Sequence, residues 1–319
     1  MSIADVNITK SHSELVADEH RGRLRDKLDI HHHLEKRESL RVGELAVHCE
    51  LYQADDAEAP ILIFLPGIGT YSELYADLLG RFAENGFHTV SLDYPGHGYS
   101  AGTRGQYSVE NVVQSVSDLI DRLQERFSGP VYVYGYSIGS LLAVAAAEKD
   151  GRIQGVLCGT LLIPEIPPDT LHQMGWQWTW GMAQMFPSMK LPLKSMVDYE
   201  QLLAGHPAAK EFNHDHLMVF DYPLSTLSSL YSWRSEVKDQ AFEFHAAILH
   251  GRGDEVLPLR YSKRLSEELT HPFELIEVHG GHMLPWYDPE LLIDTVSQWV
   301  RSLPEPEPNN DHLEIVEVA

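Results

Sequence analysis

The chain has 319 residues, 43% of them hydrophobic, enough for one large α/β domain with an insertion or for two ordinary domains. Its 47 acidic against 24 basic residues give a formal net charge of −23, which argues against a nucleic-acid partner and would repel an anionic membrane. Two distant cysteines, Cys49 and Cys158, make neither a disulfide framework nor a metal spacing, and no run is apolar for long enough to span a bilayer, so a cytoplasmic location is expected.

Residues 1–38 are polar and charged and read as an arm, either helical or loosely docked. Within it, His31, His32 and His33 are adjacent, and adjacent residues on a helix do not share a face, so no metal site is expected. Between Ser39 and Tyr52 apolar residues partly alternate around Gly43-Glu44, which predicts two antiparallel strands. The unbroken apolar run at residues 61–65 predicts a strand buried on both faces, ending in Pro66-Gly67-Ile68-Gly69. A helix over 72–84 follows, then a strand over 87–92 that closes in Asp93-Tyr94-Pro95-Gly96-His97-Gly98. Apolar residues at helical spacing predict a helix over 108–127. The segment 131–136 predicts a strand that runs into Gly135-Tyr136-Ser137-Ile138-Gly139 and a small-residue helix over 141–147. A further strand is expected at 153–158. Strand and helix alternating on short connections predict a mostly parallel sheet with helices on both faces.

Residues 161–235 break that rhythm. Leu171, Met174, Trp178, Met182 and Met185 form one helical stripe, with Trp176, Trp180 and Phe186 off it. A helix apolar on more than one side needs cover on more than one side. It is either an ordinary buried helix or a lid with one face lining an apolar pocket. The lid reading assigns Trp176, Trp178, Trp180 and Met182 to substrate contact, since Trp and Met suit acyl or aromatic groups. The alternation resumes with a strand at 243–250 that opens into Gly251-Arg252-Gly253-Asp254. A helix over 259–269, a strand over 272–278 ending in His279-Gly280-Gly281-His282, and a helix over 289–301 complete it. The core is therefore 39–160 with 236–303, the insertion 161–235, and the Pro- and acid-rich residues 304–319 a tail.

The Gly-x-Ser-x-Gly between a strand and a helix has the context of a nucleophile elbow. The turn is so tight that side chains at residues 135 and 139 would collide. Strain lifts the Ser137 hydroxyl off the sheet, and the helix N-terminus favours developing negative charge. Asp254 and His282 each follow a predicted strand end, where sites form in open parallel sheets. His282 would take the Ser137 proton, and Asp254 would hold the imidazole's tautomer. His279 is the rival base, less favoured because Gly280 and Gly281 let the chain bend before His282. Asp221 and Asp288 are rival acids, and Asp93 reads as a structural cap for the 95–98 loop. His214 and His216 would make a metal pair only with further ligands nearby. An oxyanion needs two donors, assigned to the backbone N–H groups of Ile68 and Ile138.

On residues 92–105, 135–139, 251–258 and 280–284, the chain resembles α/β-hydrolases of the monoglyceride lipase and lysophospholipase type, related to the serine aminopeptidase-like hydrolases. The similarity runs over about 40–302 apart from the insertion. It departs at the oxyanion loop, where many members have His-Gly and this chain has Pro66-Gly67. The resemblance implies an α/β-hydrolase fold with a helical cap and a serine hydrolase acting on a carboxylic ester with an apolar acyl or aryl part. It implies a small-molecule ester as partner and no cofactor. Lactone, thioester and carbon–carbon cleavage use the same three residues, and a non-catalytic ligand-binding protein is the contrasting reading. The oligomeric state stays open, a homo-oligomer included.

Overall fold

The computed structural model describes residues 12–195 and 197–304; residues 1–11 of the expected arm and 305–319 of the expected tail lie outside these. The apolar runs form β1 (Glu38–Val42), β2 (Val47–Tyr52), β3 (Ile61–Leu65), β4 (His88–Leu92), β5 (Val131–Tyr136), β6 (Ile153–Gly159), β7 (Lys190–Pro192), β8 (Asp221–Pro223), β9 (His245–Gly251) and β10 (Glu274–Val278). Eight of them make one sheet in the order β1-β2-β4-β3-β5-β6-β9-β10, and β7 pairs with β8 separately. The tight turn at Gly43, φ +64°, joins β1 to β2, and a short hairpin can only be antiparallel. β2 also runs antiparallel to β4, and every other pairing in the large sheet is parallel.

The helices are α1 (His12–Leu28), α2 (His31–Leu34), α3 (Ala76–Glu84), α4 (Val109–Gln124), α5 (Ile138–Ala147), α6 (Thr170–Met185), α7 (Tyr199–Leu202), α8 (Ala209–Phe212), α9 (Leu224–Tyr231), α10 (Leu259–Glu268), α11 (Leu284–Tyr287) and α12 (Pro289–Ser302). Side chains alternate across β3: Ile61, Ile63 and Leu65 join a core with α4, α5 and α10, while Leu62 and Phe64 join one with α3 and α12. Cover on both faces is why the strand reads as an unbroken apolar run. Each such buried side chain contributes about 1.5–3 kcal/mol. The Ser108 hydroxyl caps α4, accepting from the Asn111 N–H in a capping box. Where the pattern predicts one helix over 72–84, the first turn, Ser72–Tyr75, is 3₁₀ and α3 begins after it. The Ser72 N–H is held outside the helix by Asp93 Oδ1, at 2.7 Å.

Connections position the site. From β3 the chain crosses to β4 on one side, then returns past β3 to β5 on the other. A crevice opens where that order reverses, outside the carboxyl ends of β3 and β5. Those ends carry residues 66–69 and Ser137.

The described part of the expected arm is helical and packed. Leu24 and Ile30 are buried, and two arginines reach carboxylates beneath the surface. Arg25 Nε lies 2.7 Å from Glu73 Oε1, and Arg37 Nη1 lies 2.6 Å from Glu50 Oε1 and 2.9 Å from Glu73 Oε2.

Between β6 and β9 lie α6, β7, α7, α8, β8 and α9. The expectation that α6 is covered on more than one side is not met. It packs along one side on α9, and only Thr179 and Ala183 are buried. No helix among the described residues is long and apolar enough to cross a membrane.

Candidate active site

At the end of β5, Ser137 adopts φ +54° and ψ −122°, a conformation that a residue with a side chain rarely takes. Its surroundings impose it. The Ser137 N–H donates to the Gly159 carbonyl at 2.8 Å, and α5 starts at the next residue. A Cβ at position 135 would lie 2.3 Å from the Gly139 oxygen, and one at 139 would lie 2.1 Å from the Leu65 oxygen. Glycine at both places lets β3, β5 and α5 meet in one turn.

Three loops bring Ser137, His282 and Asp254 together. His282 Nε2 is 3.1 Å from Ser137 Oγ, and His282 Nδ1 is 2.8 Å from Asp254 Oδ2. The Asp254 side chain is fully covered and that of His282 nearly so, at 0% and 6% exposure. Asp254 also accepts from the Thr160 hydroxyl at 2.8 Å and from the Val256 and Leu257 N–H groups at 2.8 and 2.9 Å. Burial alone would push its carboxyl up, but the bond to His282 and that residue's charge, the Leu257 N–H and the Thr160 hydroxyl outweigh burial, and its pKa is lowered. The acceptor-only carboxylate assigns the His282 proton to Nδ1 and leaves Nε2 free to accept from Ser137.

The bend before His282 is crowded. Gly280 has φ +109°, and a Cβ on Gly281 would lie 2.8 Å from Glu255 Oε2. The Tyr136 hydroxyl donates to the His282 carbonyl at 3.0 Å. The rival His279 has its side chain 80% exposed, 3.5 Å from Asp288. Asp288 caps α12 through the Leu291 N–H at 3.1 Å. Asp221 is exposed in β8. Asp93 is buried and accepts from the Ser72 and Tyr99 N–H groups at 2.7 and 2.8 Å, tying the 95–98 loop to β4.

Loop 66–69 is held by five side chains. The Tyr94 hydroxyl donates to the Pro66 carbonyl at 2.7 Å, and Thr70 Oγ1 donates to that of Gly67 at 2.7 Å. The Tyr75 hydroxyl accepts from the Gly67 N–H at 3.3 Å, and the Tyr199 hydroxyl donates to the Ile68 carbonyl. The Gly69 N–H donates to the Tyr222 hydroxyl at 2.9 Å. Tyr222 in turn donates to His97 Nε2 at 2.6 Å, and His97 Nδ1 donates to the Pro95 carbonyl at 3.2 Å. The Ile138 N–H is first in its helix and has no intrahelical acceptor. Among the described residues, the Ile68 N–H has no acceptor in the protein either.

This chain of bonds carries two expected results. Tyr222→Phe leaves the Gly69 N–H and His97 Nε2 without partners, loosening the loop. Steady-state kinetics will show kcat reduced about 10- to 100-fold with KM little changed. Burial drives the His97 pKa from 6.5 down to about 3. Between those values the unfolded chain binds a proton that the folded one does not, so stability is complete above pH 6.5 and is lost as pH falls toward 3. The full span is worth about 5 kcal/mol. Urea unfolding of His97→Gln, compared with wild type from pH 7 to 4, will show a shallower acid loss by part of that amount.

Tyr199, Tyr222 and Thr160 carried no signal in the sequence, while His97 sat in a visible Pro-Gly-His-Gly motif. Of the residues assigned to substrate, Trp176 and Trp180 line a cavity of about 490 Å³ with Pro164, Tyr231 and Trp233, and none of Ser137, Asp254 and His282 lines it. Trp178 is exposed and Met182 half-buried. The insertion residues that touch loop 66–69 are Leu193, Tyr199, Val219 and Tyr222.

Metal ligands converge in one place among the described residues. Adjacent His32 and His33 do meet, together with Asp77, their ligand atoms within 4.8 Å of one another. Arg81 already sits 3.0 Å from Asp77 Oδ1 and supplies the cation there. His214 and His216 turn to different partners, the Lys210 carbonyl and Arg21.

Among solved structures, the chain is similar to a monoacylglycerol lipase from Paleococcus ferrophilus, with 23% identity, a TM-score of 0.64, and 80% of this chain and 98% of that one covered. It is also similar to a soluble variant of monoglyceride lipase from Saccharomyces cerevisiae, with 12% identity, a TM-score of 0.66, and 83% and 94% covered. At such identities the likeness is one of fold. Phospholipase YtpA of Bacillus subtilis (strain 168) is 28% identical over 105 residues, 32% of this chain and 40% of that protein. The (E)-2-((N-methylformamido)methylene)succinate hydrolase of Acinetobacter baylyi is 28% identical over 93 residues, 29% of this chain and 34% of that protein. The chain therefore matches less than half the length of these curated relatives. The Hydrolase_4 family (serine aminopeptidase, S33) matches residues 56–284, and with the eight-stranded, mostly parallel sheet this shows that the chain belongs to that family of α/β-hydrolases.

Proposed function

We propose that the protein is a serine hydrolase that cleaves a carboxylic ester with an apolar acyl or aryl part. The observation that carries this is the Ser137–His282–Asp254 relay, with contacts of 3.1 and 2.8 Å, on a strained strand-to-helix turn. Ser137 Oγ attacks the ester carbonyl while its proton passes to His282 Nε2. The tetrahedral oxyanion takes hydrogen bonds from the Ile68 and Ile138 N–H groups, at the N-terminus of α5. The C–O bond then breaks, and His282 returns the proton to the leaving alcohol. Water repeats the sequence on the acyl-enzyme, releasing the acid and free Ser137. Asp254 keeps its charge throughout and balances the imidazolium. No cofactor enters these steps.

Residues 161–235 form the cap in this reading, over the core made by 39–160 and 236–303. The part of the cap around Leu193, Tyr199, Val219 and Tyr222 borders the oxyanion loop and is suited to receive the acyl or aryl group. The lipase and phospholipase relatives support a lipid-like ester. The test is a ladder of p-nitrophenyl esters from acetate to palmitate, with fluorophosphonate labelling beside it. Labelling and a chain-length optimum are the expected result. Absence of labelling would overturn the serine mechanism. Labelling without turnover of any ester would move the substrate to a lactone, thioester or carbon–carbon bond.

A further inference from the structure

The outward side of α6 is bare and apolar. Leu171, Met174, Trp178 and Met185 are 78%, 63%, 49% and 70% exposed. Their spacing is that of a heptad seam whose remaining position is Gly181. The opposite side is where the helix meets the body: Thr179 and Ala183 are buried, and Trp176 stacks on Tyr231 with ring centroids 5.4 Å apart. At 3.6 residues per turn, the two sides lie about 150° apart. The bare side is therefore not a fringe of the contact with α9.

We propose that this seam is the interface of a symmetric dimer, in which α6 packs antiparallel against α6 of a second copy. The sequence is complementary to itself about a two-fold axis between Thr179 and Trp180. That axis sets Trp178 of one copy over Gly181 of the other and Met174 against Met185, so a large side chain meets a gap at the crossing and flexible side chains flank it. A Cβ built on Gly181 meets nothing within 4 Å, so no contact within the chain requires glycine there. Glycine inside a helix costs about 0.5–1 kcal/mol relative to alanine, and a partner's tryptophan gives that cost a use.

Charge favours the same occupant. α6 has no Asp, Glu, Lys or Arg in a chain that is 22% charged, so two copies meet without like charges opposed. Depletion of charge with enrichment in Trp and Met marks the buried centre of protein interfaces. A helix that lies on lipid carries Lys and Arg along its flanks, and this one carries none. The four exposed seam side chains alone present roughly 500 Å² per copy, well over half of the ~800 Å² of a standard stable interface.

The test is sedimentation equilibrium of the full chain and of two variants. The wild type is expected at twice the 36.1 kDa of one chain at micromolar concentration. Trp178→Glu puts a charge in the seam, and Gly181→Leu fills the gap with a better helix former. Each is expected to raise the dissociation constant at least about 100-fold, with Gly181→Leu raising the melting temperature of the monomer. A monomeric wild type would overturn the proposal, whether or not it bound phosphatidylcholine vesicles, and vesicle binding would assign the seam to lipid. A dimer that both variants leave intact would overturn it as well, by placing the interface elsewhere.

Discussion

Ser137→Ala lowers kcat for the best p-nitrophenyl ester by at least about 10³-fold and removes fluorophosphonate labelling, with no comparable loss of stability. The chemical part follows from the relay: without Oγ, His282 has nothing to deprotonate at 3.1 Å, and no acyl-enzyme can form. What remains is the polarisation supplied by the Ile68 and Ile138 N–H groups, which water in the site can exploit only weakly. The structural part follows from the backbone. At φ +54° a Cβ is equally strained in serine and alanine, so the elbow gains no new clash. Active-site-titrated kinetics beside a thermal melt checks both halves. Retained activity in a pure, folded variant would put the nucleophile elsewhere.

Gly139→Ala destabilises the protein by about 3 kcal/mol or more. The added Cβ would sit 2.1 Å from the Leu65 oxygen and 2.8 Å from the Pro66 oxygen, both backbone atoms at the end of β3. A side chain could swing away, but these atoms belong to the sheet and to loop 66–69. The replacement also gains about 1 kcal/mol of helix propensity in α5, which offsets only part of the clash. Gly151→Ala is the control, because a Cβ there meets nothing within 4 Å. Urea unfolding of the pair will separate the two positions. Equal midpoints would mean that the elbow relaxes more readily than its packing indicates.

What could be read from the sequence was local. The elbow is legible because Gly135 and Gly139 lie within two residues of the serine they make room for. Asp254 is legible because it follows the apolar run of β9, and His282 because two glycines set it off from the end of the next strand, β10, although Glu274 and Glu277 interrupt that one. The centre of the sheet is legible in β3, where burial on both faces leaves no polar residue in the run. The support of loop 66–69 was hidden for the opposite reason. Tyr222 lies 125 residues from His97 and 153 from Gly69, in the part of the insertion beyond its helical stripe, where no pattern says which way the chain folds back. The apolar stripe of α6 was visible, but periodicity tells only which residues want cover. It does not say that α9 would cover a different side.

The Arg25 and Arg37 contacts move the boundary of the folding unit. The family match begins at residue 56, yet Glu73, inside it, depends on two arginines that precede it. A chain trimmed to the matched segment would leave the Glu73 carboxylate beneath the surface without a counter-charge, a defect of about 3–5 kcal/mol. Much of the margin by which an ordinary domain stays folded would go with it. For this protein the unit that a biochemist can excise is longer at its N-terminal end than the segment the family match covers.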